Sequence, residues 1–332
     1  MAILFRFNCG NMWGLGHLYR SLALINELKK GGFNCHAIIN DNYIAKSMLE
    51  SKNIRFAIVN EYDSSEELIT KMNENFGDED NIVFWDRLNS ESSYIRDIIN
   101  AGYKIITYDD YDESARMATE CIMTWKIPVG GSIPSYSGPR YQLLREEIRE
   151  YATKEKVINQ SVKKILLHFG GTDPLNILIL CYNALHDLKD FSLEFIAGKD
   201  EPNDWKMEIE QAENTKYAKG VDDFARRLYE ADLCLISGGV SMYEAAAIGT
   251  PMINISHNKD QDFAASIFQN SVGSVNLGIA SEISAHKIKE SVLDLCSDYR
   301  KRKKMSEAMK LYVPTDGIKI VCKIIESVVN MR

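Results

Sequence analysis

The sequence predicts an α/β protein with two domains, each built on a parallel β-sheet. Three observations support this prediction. The chain has 332 residues, which is more than a single domain usually holds. Hydrophobic residues make up 45% of the chain, enough for two cores. Short runs rich in β-branched residues alternate with longer segments of helical periodicity, as in parallel sheets covered by helices on both faces.

The predicted first domain spans residues 1–150. Its candidate strands are separated mostly by helical segments, such as Leu18–Lys30 and Tyr43–Lys52. This alternation predicts a doubly wound unit. The candidate strands are Ile3–Asn8, Asn34–Asn40, Arg55–Val59, Ile82–Trp85, Lys104–Tyr108 and Cys121–Trp125.

The predicted second domain spans residues 151–314 and follows a polar, charged segment at 146–164. Such a segment is typical of a domain boundary, which we place at about residues 150–162. The strands expected after it are Lys163–Phe169, Ser192–Ala197, Lys216–Ala218, Leu233–Ile236, Met252–Ile255 and Ser274–Leu277.

Residues 315–332 are predicted to form a helix whose apolar residues lie along one side, at Ile318, Val321, Ile325 and Val328. Two interpretations of this terminal helix stay open. It closes the second domain, or it crosses back and packs on the first.

Composition excludes several functions. Lys and Arg number 39 against 47 Asp and Glu, so the net charge is −8, which disfavours nucleic acid as a partner. The seven cysteines include no CxxC pair, which disfavours a zinc site and a disulfide framework. No run approaches the ~20 apolar residues of a membrane span. We therefore expect a cytoplasmic protein without metal or cofactor; the sequence allows a monomer.

Three predicted strand-to-helix junctions are rich in glycine or hydroxyl residues. Helix N-termini at the carboxyl ends of parallel strands offer free N–H groups and a partial positive charge to anions. Each junction alone also fits an ordinary tight turn. Together they favour a diphosphate site, although none matches the P-loop pattern. The residues are Gly14 and Gly16; Gly170, Gly171, Thr172 and Asp173; and Ser237, Gly238, Gly239 and Ser241.

His17 is the first catalytic candidate, because it lies where the first glycine loop turns into a helix. There it could act as a general base, with Arg20 one turn later as a substrate contact. The alternative for His17 is a helix cap or a phosphate contact without proton transfer.

Asp109 is the second catalytic candidate. It shares the end of a predicted strand with Asp110, and Tyr111 follows as a substrate-binding candidate. Adjacent carboxylates on a strand point to opposite faces, which argues against a paired acid and base. Asp109 could orient a ligand hydroxyl or water; a helix-capping role fits equally well.

Glu244 lies about one helical turn after the third glycine turn. Its carboxylate could accept hydrogen bonds from a ribose diol while the turn holds phosphate. The alternative is a solvated carboxylate on a helix surface.

Five segments of the chain resemble a known family in order and approximate spacing. They are GLGHLYRSLAL (14–24), YDDYDESA (108–115), SGPRYQLLREEI (137–148), LHFGGTDPLN (167–176) and SGGVSMYEAAAIGTPMINISHNKDQ (237–261). Residues 1–265 thereby resemble the UDP-sugar hydrolases of the pseudaminic acid pathway and their spore-coat polysaccharide relatives. These proteins are similar to GT-B glycosyltransferases, including the murein glycosyltransferase that acts on lipid I.

The resemblance implies a GT-B-like fold, with two Rossmann-like doubly wound domains, the ligand cleft between them and a terminal helix that crosses back. It implies that His17 is catalytic, that Gly14–Gly16 and Gly170–Asp173 bind diphosphate, and that Ser237–Ser241, Glu244 and Gln261 contact the nucleotide. The implied reaction is hydrolysis of a UDP-linked deoxyamino sugar at the anomeric carbon, without metal, for nonulosonic acid or surface polysaccharide synthesis.

Two other classes of function stay open. A glycosyltransferase would use the same UDP-sugar donor in cell-surface glycan synthesis, but would need room for an acceptor. A non-catalytic nucleotide-sugar-binding subunit would have no use for His17 as a base.

Overall fold

The computed structural model describes residues 2–10, 13–60, 63–77, 82–88, 90–110, 117–124 and 135–331. The chain divides into two compact units. The first comprises Met1–Trp13, His17–Leu143 and Asp316–Arg332, and the second comprises Gly14–Gly16 and Leu144–Thr315. Each unit is a parallel sheet with helices, so the predicted α/β fold class is confirmed.

The sheet of the first unit is parallel throughout, with strand order β3-β2-β1-β4-β5-β6-β7. Its central strands are almost wholly buried and mostly apolar, as expected for a covered parallel sheet. The strands are β1 (Ile3–Phe7), β2 (Cys35–Ile39), β3 (Phe56–Ile58), β4 (Ile82–Asp86), β5 (Lys104–Tyr108), β6 (Glu120–Met123) and β7 (Ser135–Ser137).

Four helices alternate with the first five strands of this unit. Two of them pack over a core cluster that includes Leu4, Val83 and Trp85. The helices are α1 (Gly16–Lys30), α2 (Tyr43–Ser51), α3 (Ser65–Phe76) and α4 (Ser92–Asn100).

The second unit has a six-stranded parallel sheet in the order β10-β9-β8-β11-β12-β13. Its strands are β8 (Lys164–His168), β9 (Ser192–Ala197), β10 (Thr215–Lys219), β11 (Leu233–Ile236), β12 (Met252–Ser256) and β13 (Val275–Ile279). Its helices are α5 (Glu146–Ala152), α6 (Ile177–Leu185), α7 (Lys206–Ile209), α8 (Phe224–Glu230), α9 (Val240–Ile248), α10 (Lys259–Val272), α11 (Ala285–Ser297) and α12 (Tyr299–Tyr312).

The terminal helix α13 (Gly317–Asn330) packs within the first unit. The Lys104 side chain donates to the carbonyl of Val328 at 3.2 Å, near the end of α13. At the start of α13, a Cβ on Gly317 would lie 2.6 Å from the carbonyl oxygens of Arg140 and Gln142. Glycine is therefore required for this close approach.

Every predicted strand overlaps an observed one, whereas β7 was not predicted, because Ser-Tyr-Ser lacks the apolar pattern of a buried strand. The division between the units also differs from the predicted 150–162. It falls between Leu143 and Leu144, because α5 packs against α8 and α9 in the second unit.

In each sheet the strand order reverses at one point. In the first unit this point lies between β1 and β4, and in the second between β8 and β11. Helices leave neighbouring strands in opposite directions there, which opens a crevice at the carboxyl ends where α/β proteins bind ligands.

Candidate functional site

His17 lies at the start of α1, just after the chain leaves β1. Its ring Nδ1 is 2.8 Å from Oδ1 of Asp86, the last residue of the neighbouring strand β4. The Asp86 carboxylate can only accept a hydrogen bond, whereas Nη2 of Arg20, 3.2 Å from the same Nδ1, can only donate one. The shorter contact is the one to Asp86, and it favours the tautomer with the proton on Nδ1 and the lone pair on Nε2. The pair with Asp86 therefore prepares His17 to accept a proton at Nε2.

Asp86 is buried and also receives Arg20, whose Nε donates to Oδ2 at 2.8 Å. Burial by itself raises the pKa of a carboxyl group. Here the positive charge of Arg20 and the bond from His17 outweigh burial and lower the pKa of Asp86 to about 2. Asp86 is therefore an ionised acceptor that fixes the tautomer of His17.

Arg20 connects two carboxylates. Its Nε and Nη2 donate to Asp86, and its Nη1 donates to Asp109 at 2.8 Å. Burial lowers the pKa of this guanidinium, but the two carboxylates raise it above its ordinary value. Arg20 therefore orders the site, and its predicted contact with substrate stays a prediction.

Asp109 follows β5 with φ of +54°, a left-handed conformation that is uncommon for residues other than glycine. It accepts hydrogen bonds from the backbone N–H of Thr124 at 2.7 Å and from its hydroxyl at 2.9 Å. Burial raises the pKa of Asp109 above its ordinary value despite Arg20. Asp109 is thus linked to His17 through Arg20, whose Nη2 lies 3.2 Å from His17 Nδ1, and its catalytic role stays a prediction.

Asp110 has a different partner from Asp109 and accepts from the backbone N–H of Ser90 at 3.4 Å. The expected divergence of the two carboxylates stays a prediction. Tyr111 lies outside the described residues.

Sequence reasoning missed Asp86, the carboxylate that contacts His17. The missing information was strand order, because β4 pairs with β1 although three helices and two strands lie between them in the chain. Asp86 ends the apolar run Ile-Val-Phe-Trp, and a charged residue at the carboxyl end of a strand was the available signal.

In the second unit, the turn after β8 is held by a neighbouring loop. Gly170 has φ of +102°, and a Cβ on Gly198 would lie 2.1 Å from the carbonyl oxygen of Gly171. The buried Glu201 accepts from the backbone N–H of Asp173 at 2.6 Å. Gly198 and Glu201 therefore shape this turn, although neither stands near it in the sequence.

Asp173 caps α6. Its two carboxylate oxygens accept from the backbone N–H groups of Ile177 and Leu178, each at 2.8 Å. Burial raises the pKa of Asp173, although these two hydrogen bonds oppose the shift. The helix donors are thus already occupied by a carboxylate, so the start of α6 is a weaker anion site than the sequence suggested.

The turn after β11 is different, because the N-cap residue of α9 is Gly239 and no side chain caps this helix start. A Cβ on Gly238 would lie 2.2 Å from the carbonyl oxygen of Gln261, so no other residue fits there without a shift. The Gln261 side-chain oxygen accepts from the backbone N–H of His257 at 3.1 Å. The uncapped start of α9 leaves N–H groups for an anion.

The hydroxyl residues of these turns differ in exposure. Thr172 and Ser237 are buried, and Ser241 is partly exposed in the first turn of α9. Gly14, with φ of +65°, and Gly16 belong to the loop segment that groups with the second unit.

Glu244 is buried in α9, which rules out the solvated-carboxylate interpretation. Both of its oxygens accept from Arg145, from Nε at 2.7 Å and from Nη2 at 3.0 Å. Such a bidentate pair fixes the orientation of a carboxylate. Arg145 lies within the segment 137–148, but the sequence does not indicate its role because its partner Glu244 lies 99 residues further along the chain.

Among the described residues, no group of three or more His, Cys, Asp or Glu side chains is placed to hold a metal ion. No helix in the described parts of the chain is long and apolar enough to cross a membrane.

Solved structures identify the fold. The structure of MurG from Acinetobacter baumannii superimposes with a TM-score of 0.69 at 14% identity and covers 98% of this chain and 100% of its own. The calicheamicin glycosyltransferase CalG4 gives 0.68 at 14% identity, covering 98% and 97%. The fold is GT-B. The expected GT-B architecture of two parallel-sheet α/β units is therefore confirmed.

Sequence comparisons give one match to a family model and two similar proteins. Residues 165–319 match the glycosyltransferase family 28 C-terminal domain. The chain is 21% identical to the spore coat polysaccharide biosynthesis protein SpsG of Bacillus subtilis, covering 94% of both. It is 27% identical to an uncharacterized protein of Methanocaldococcus jannaschii over 75% of this chain, which spans only 54% of that relative's length.

Proposed function

We propose that the protein is a GT-B glycosyltransferase that transfers the sugar of a UDP-sugar to an acceptor hydroxyl in surface polysaccharide synthesis. The observation that carries this proposal is the match of residues 165–319 to the glycosyltransferase family 28 C-terminal domain. That span contains the glycine turns after β8 and β11 and the buried Glu244. The name of the relative SpsG supports the polysaccharide context.

The donor is assigned to the second unit. The uncapped N-terminus of α9 offers backbone N–H groups and a partial positive charge to the diphosphate. Glu244, oriented by Arg145, is the acceptor for the ribose hydroxyls. Support for uridine comes from Anabaena HepE, which was solved in complex with UDP and glucose and superimposes with a TM-score of 0.61 at 11% identity.

The chemistry is assigned to His17 in the first unit. As the acceptor oxygen attacks the anomeric carbon, His17 Nε2 takes the hydroxyl proton, and the bond from that carbon to the phosphate oxygen breaks. UDP leaves with the electron pair of this bond. Asp86 stabilises the imidazolium formed in this step, as a carboxylate on Nδ1 does in other general-base histidines.

Hydrolysis uses the same groups, with water in place of the acceptor hydroxyl. The resemblance of the sequence to UDP-sugar hydrolases implies hydrolysis of a UDP-linked deoxyamino sugar, with glycosyl transfer as the alternative. The family match and the GT-B glycosyltransferase structures favour transfer, and hydrolysis stays a prediction.

One experiment separates these activities. The purified protein is incubated with a panel of UDP- and CMP-sugars, with and without glycan acceptors, and products are followed by mass spectrometry and proton NMR. We expect a product that requires the acceptor. Free sugar formed equally without acceptor indicates a hydrolase, and no turnover of any donor despite nucleotide binding indicates a binding subunit.

Nucleotide identity is tested by thermal unfolding. A ligand at 100 times its dissociation constant stabilises the folded state by about 2.7 kcal/mol, so millimolar UDP should raise Tm. If CMP raises Tm and UDP does not, the uridine assignment is wrong.

A further inference from the structure

Helix α12 carries a cluster of exposed cations, Arg300, Lys301, Lys303 and Lys304. Several lysines elsewhere on the surface pair with nearby acids, as in Lys46 with Asp41 at 2.7 Å and Lys199 with Asp222 at 2.8 Å. None of the four α12 cations forms an ion pair with a described residue. Their charge is therefore concentrated and unneutralised in a chain whose net charge is −8.

An exposed leucine lies on the same side of the helix. At 100° per residue, Arg300, Lys304 and Leu311 fall within 40° of one another. Leu311 is 85% exposed, and the opposite side of α12, with Met305 and Met309, is buried. Lys301 and Lys303 flank the exposed stripe on either side, and Glu307 is its one acid. We call this surface the α12 face.

We propose that the α12 face docks on the anionic surface of a lipid bilayer. Two properties of the face fit this partner. Its cations complement anionic headgroups, to which each exposed Lys or Arg adds about fivefold in binding. Its exposed leucine, near the end of α12, can enter the apolar boundary beneath the headgroups, as apolar side chains of interfacial helices do.

A soluble polyanion such as a nucleic acid fits less well. It complements the cations equally but leaves Leu311 in water. The leucine therefore distinguishes the two partners. The proposal is independent of the proposed function, since no residue of the α12 face was assigned to donor binding or catalysis.

The test is co-sedimentation of the full chain with vesicles of phosphatidylcholine alone and with 30 mol% phosphatidylglycerol. One variant combines Arg300→Gln, Lys301→Gln, Lys303→Gln and Lys304→Gln, because glutamine preserves helix propensity. A matched control combines Lys30→Gln, Lys52→Gln, Lys216→Gln and Lys219→Gln, four exposed lysines on other elements. Both lower the net charge by four units. Circular dichroism and Tm verify that each variant is folded.

We expect the parent protein and the control to bind anionic vesicles and the α12 variant to bind about 600-fold more weakly, since each of the four lost cations removes about fivefold. Binding should weaken with rising salt. Parent binding that is no stronger to anionic than to neutral vesicles overturns the proposal, and so does an equal loss in both variants.

Leu311→Gln tests the insertion. We expect several-fold weaker vesicle binding and unchanged binding to heparin, a soluble polyanion. If Leu311→Gln binds vesicles like the parent, or if the parent binds heparin but not vesicles, the partner is a polyanion and the bilayer assignment is wrong.

Discussion

Both sheets carry their candidate groups at the point where the strand order reverses, but the first uses charged side chains and the second uses glycine turns. In the first unit, the carboxyl ends of β1 and β4 carry paired, buried side chains, with His17 and Arg20 on Asp86. In the second unit, the carboxyl ends of β8 and β11 lead into turns where side chains are missing, at Gly170 and Gly238.

The comparison shows that sheet topology determines where a candidate site lies, whereas the residue types at that point determine its chemistry. A buried network of charges holds one imidazole in one tautomer, which suits proton transfer. A glycine turn that opens an uncapped helix exposes backbone N–H groups, which suits a bound phosphate. The following predictions test whether the two units have these separate roles.

The largest effect is expected for His17→Ala. If the first unit supplies proton transfer and the second holds the nucleotide, turnover should fall by about 10²- to 10⁴-fold while UDP affinity stays near that of the parent. Steady-state kinetics and calorimetry with UDP give the two quantities. His286→Ala, at an exposed position in α11, is the matched control and should change neither.

A parallel loss of UDP affinity and turnover would assign His17 to phosphate binding instead. Near-normal turnover of the folded His17→Ala protein would remove the general base from the mechanism altogether.

The next largest effect is expected in the second unit, for Glu244→Ala. Loss of a charged acceptor for the ribose hydroxyls should weaken UDP binding by about 1.5–3 kcal/mol, measured by calorimetry. Arg145→Met is the companion variant, because it leaves the Glu244 carboxylate in place but unpaired. It should lower Tm and cost less UDP affinity. Equal losses of affinity in both variants would mean that Glu244 acts only through its pair with Arg145.

The parts of this contrast that the sequence predicted are the local ones. Apolar, β-branched runs located the strands, and glycine clusters located the turns, because both signals lie within a few neighbouring residues. His17 was recognised for the same reason, since the loop and the helix start are adjacent in the chain.

The parts that were missed depend on long-range pairing. Asp86 lies 69 residues from His17, and Arg145 lies 99 residues from Glu244. Gly198 and Glu201 reach the turn after β8 because β9 pairs with β8. The local sequence around these residues does not indicate their partners. For the same reason, the two carboxylates that pair with Arg20 could not be predicted from its position after His17.

The third prediction contrasts two adjacent glycines. In Gly238→Ala the new Cβ would lie 2.2 Å from the backbone oxygen of Gln261, whereas in Gly239→Ala its nearest neighbour is the side-chain nitrogen of Gln261 at 3.8 Å. Overpacking of this kind destabilises the folded protein by about 1–3 kcal/mol, so Gly238→Ala should lower Tm, and the shift it forces on the turn should weaken UDP binding. Gly239→Ala should bind UDP like the parent. Equal affinity of the two variants would show that the shape of this turn does not matter for the nucleotide.

The smallest effect concerns acid stability and compares a buried carboxylate from each unit. The folded pKa of Asp86, about 2, lies below its unfolded value, so its contribution is complete above about pH 5 and is lost as the pH falls towards 2. The loss amounts to about 2 kcal/mol. The pKa of Asp173 is raised, so its contribution changes in the opposite direction and grows as the pH falls.

Urea unfolding from pH 5 downwards should therefore show the stability advantage of the parent over Asp86→Asn shrinking, and its advantage over Asp173→Asn growing. Both carboxylates are buried, and they differ in their partners. Asp86 faces the full charge of Arg20, whereas Asp173 receives the backbone N–H groups of α6. A shift of the same sign in both variants would mean that burial, rather than the choice between charged side chains and backbone donors, sets the behaviour of these two sites.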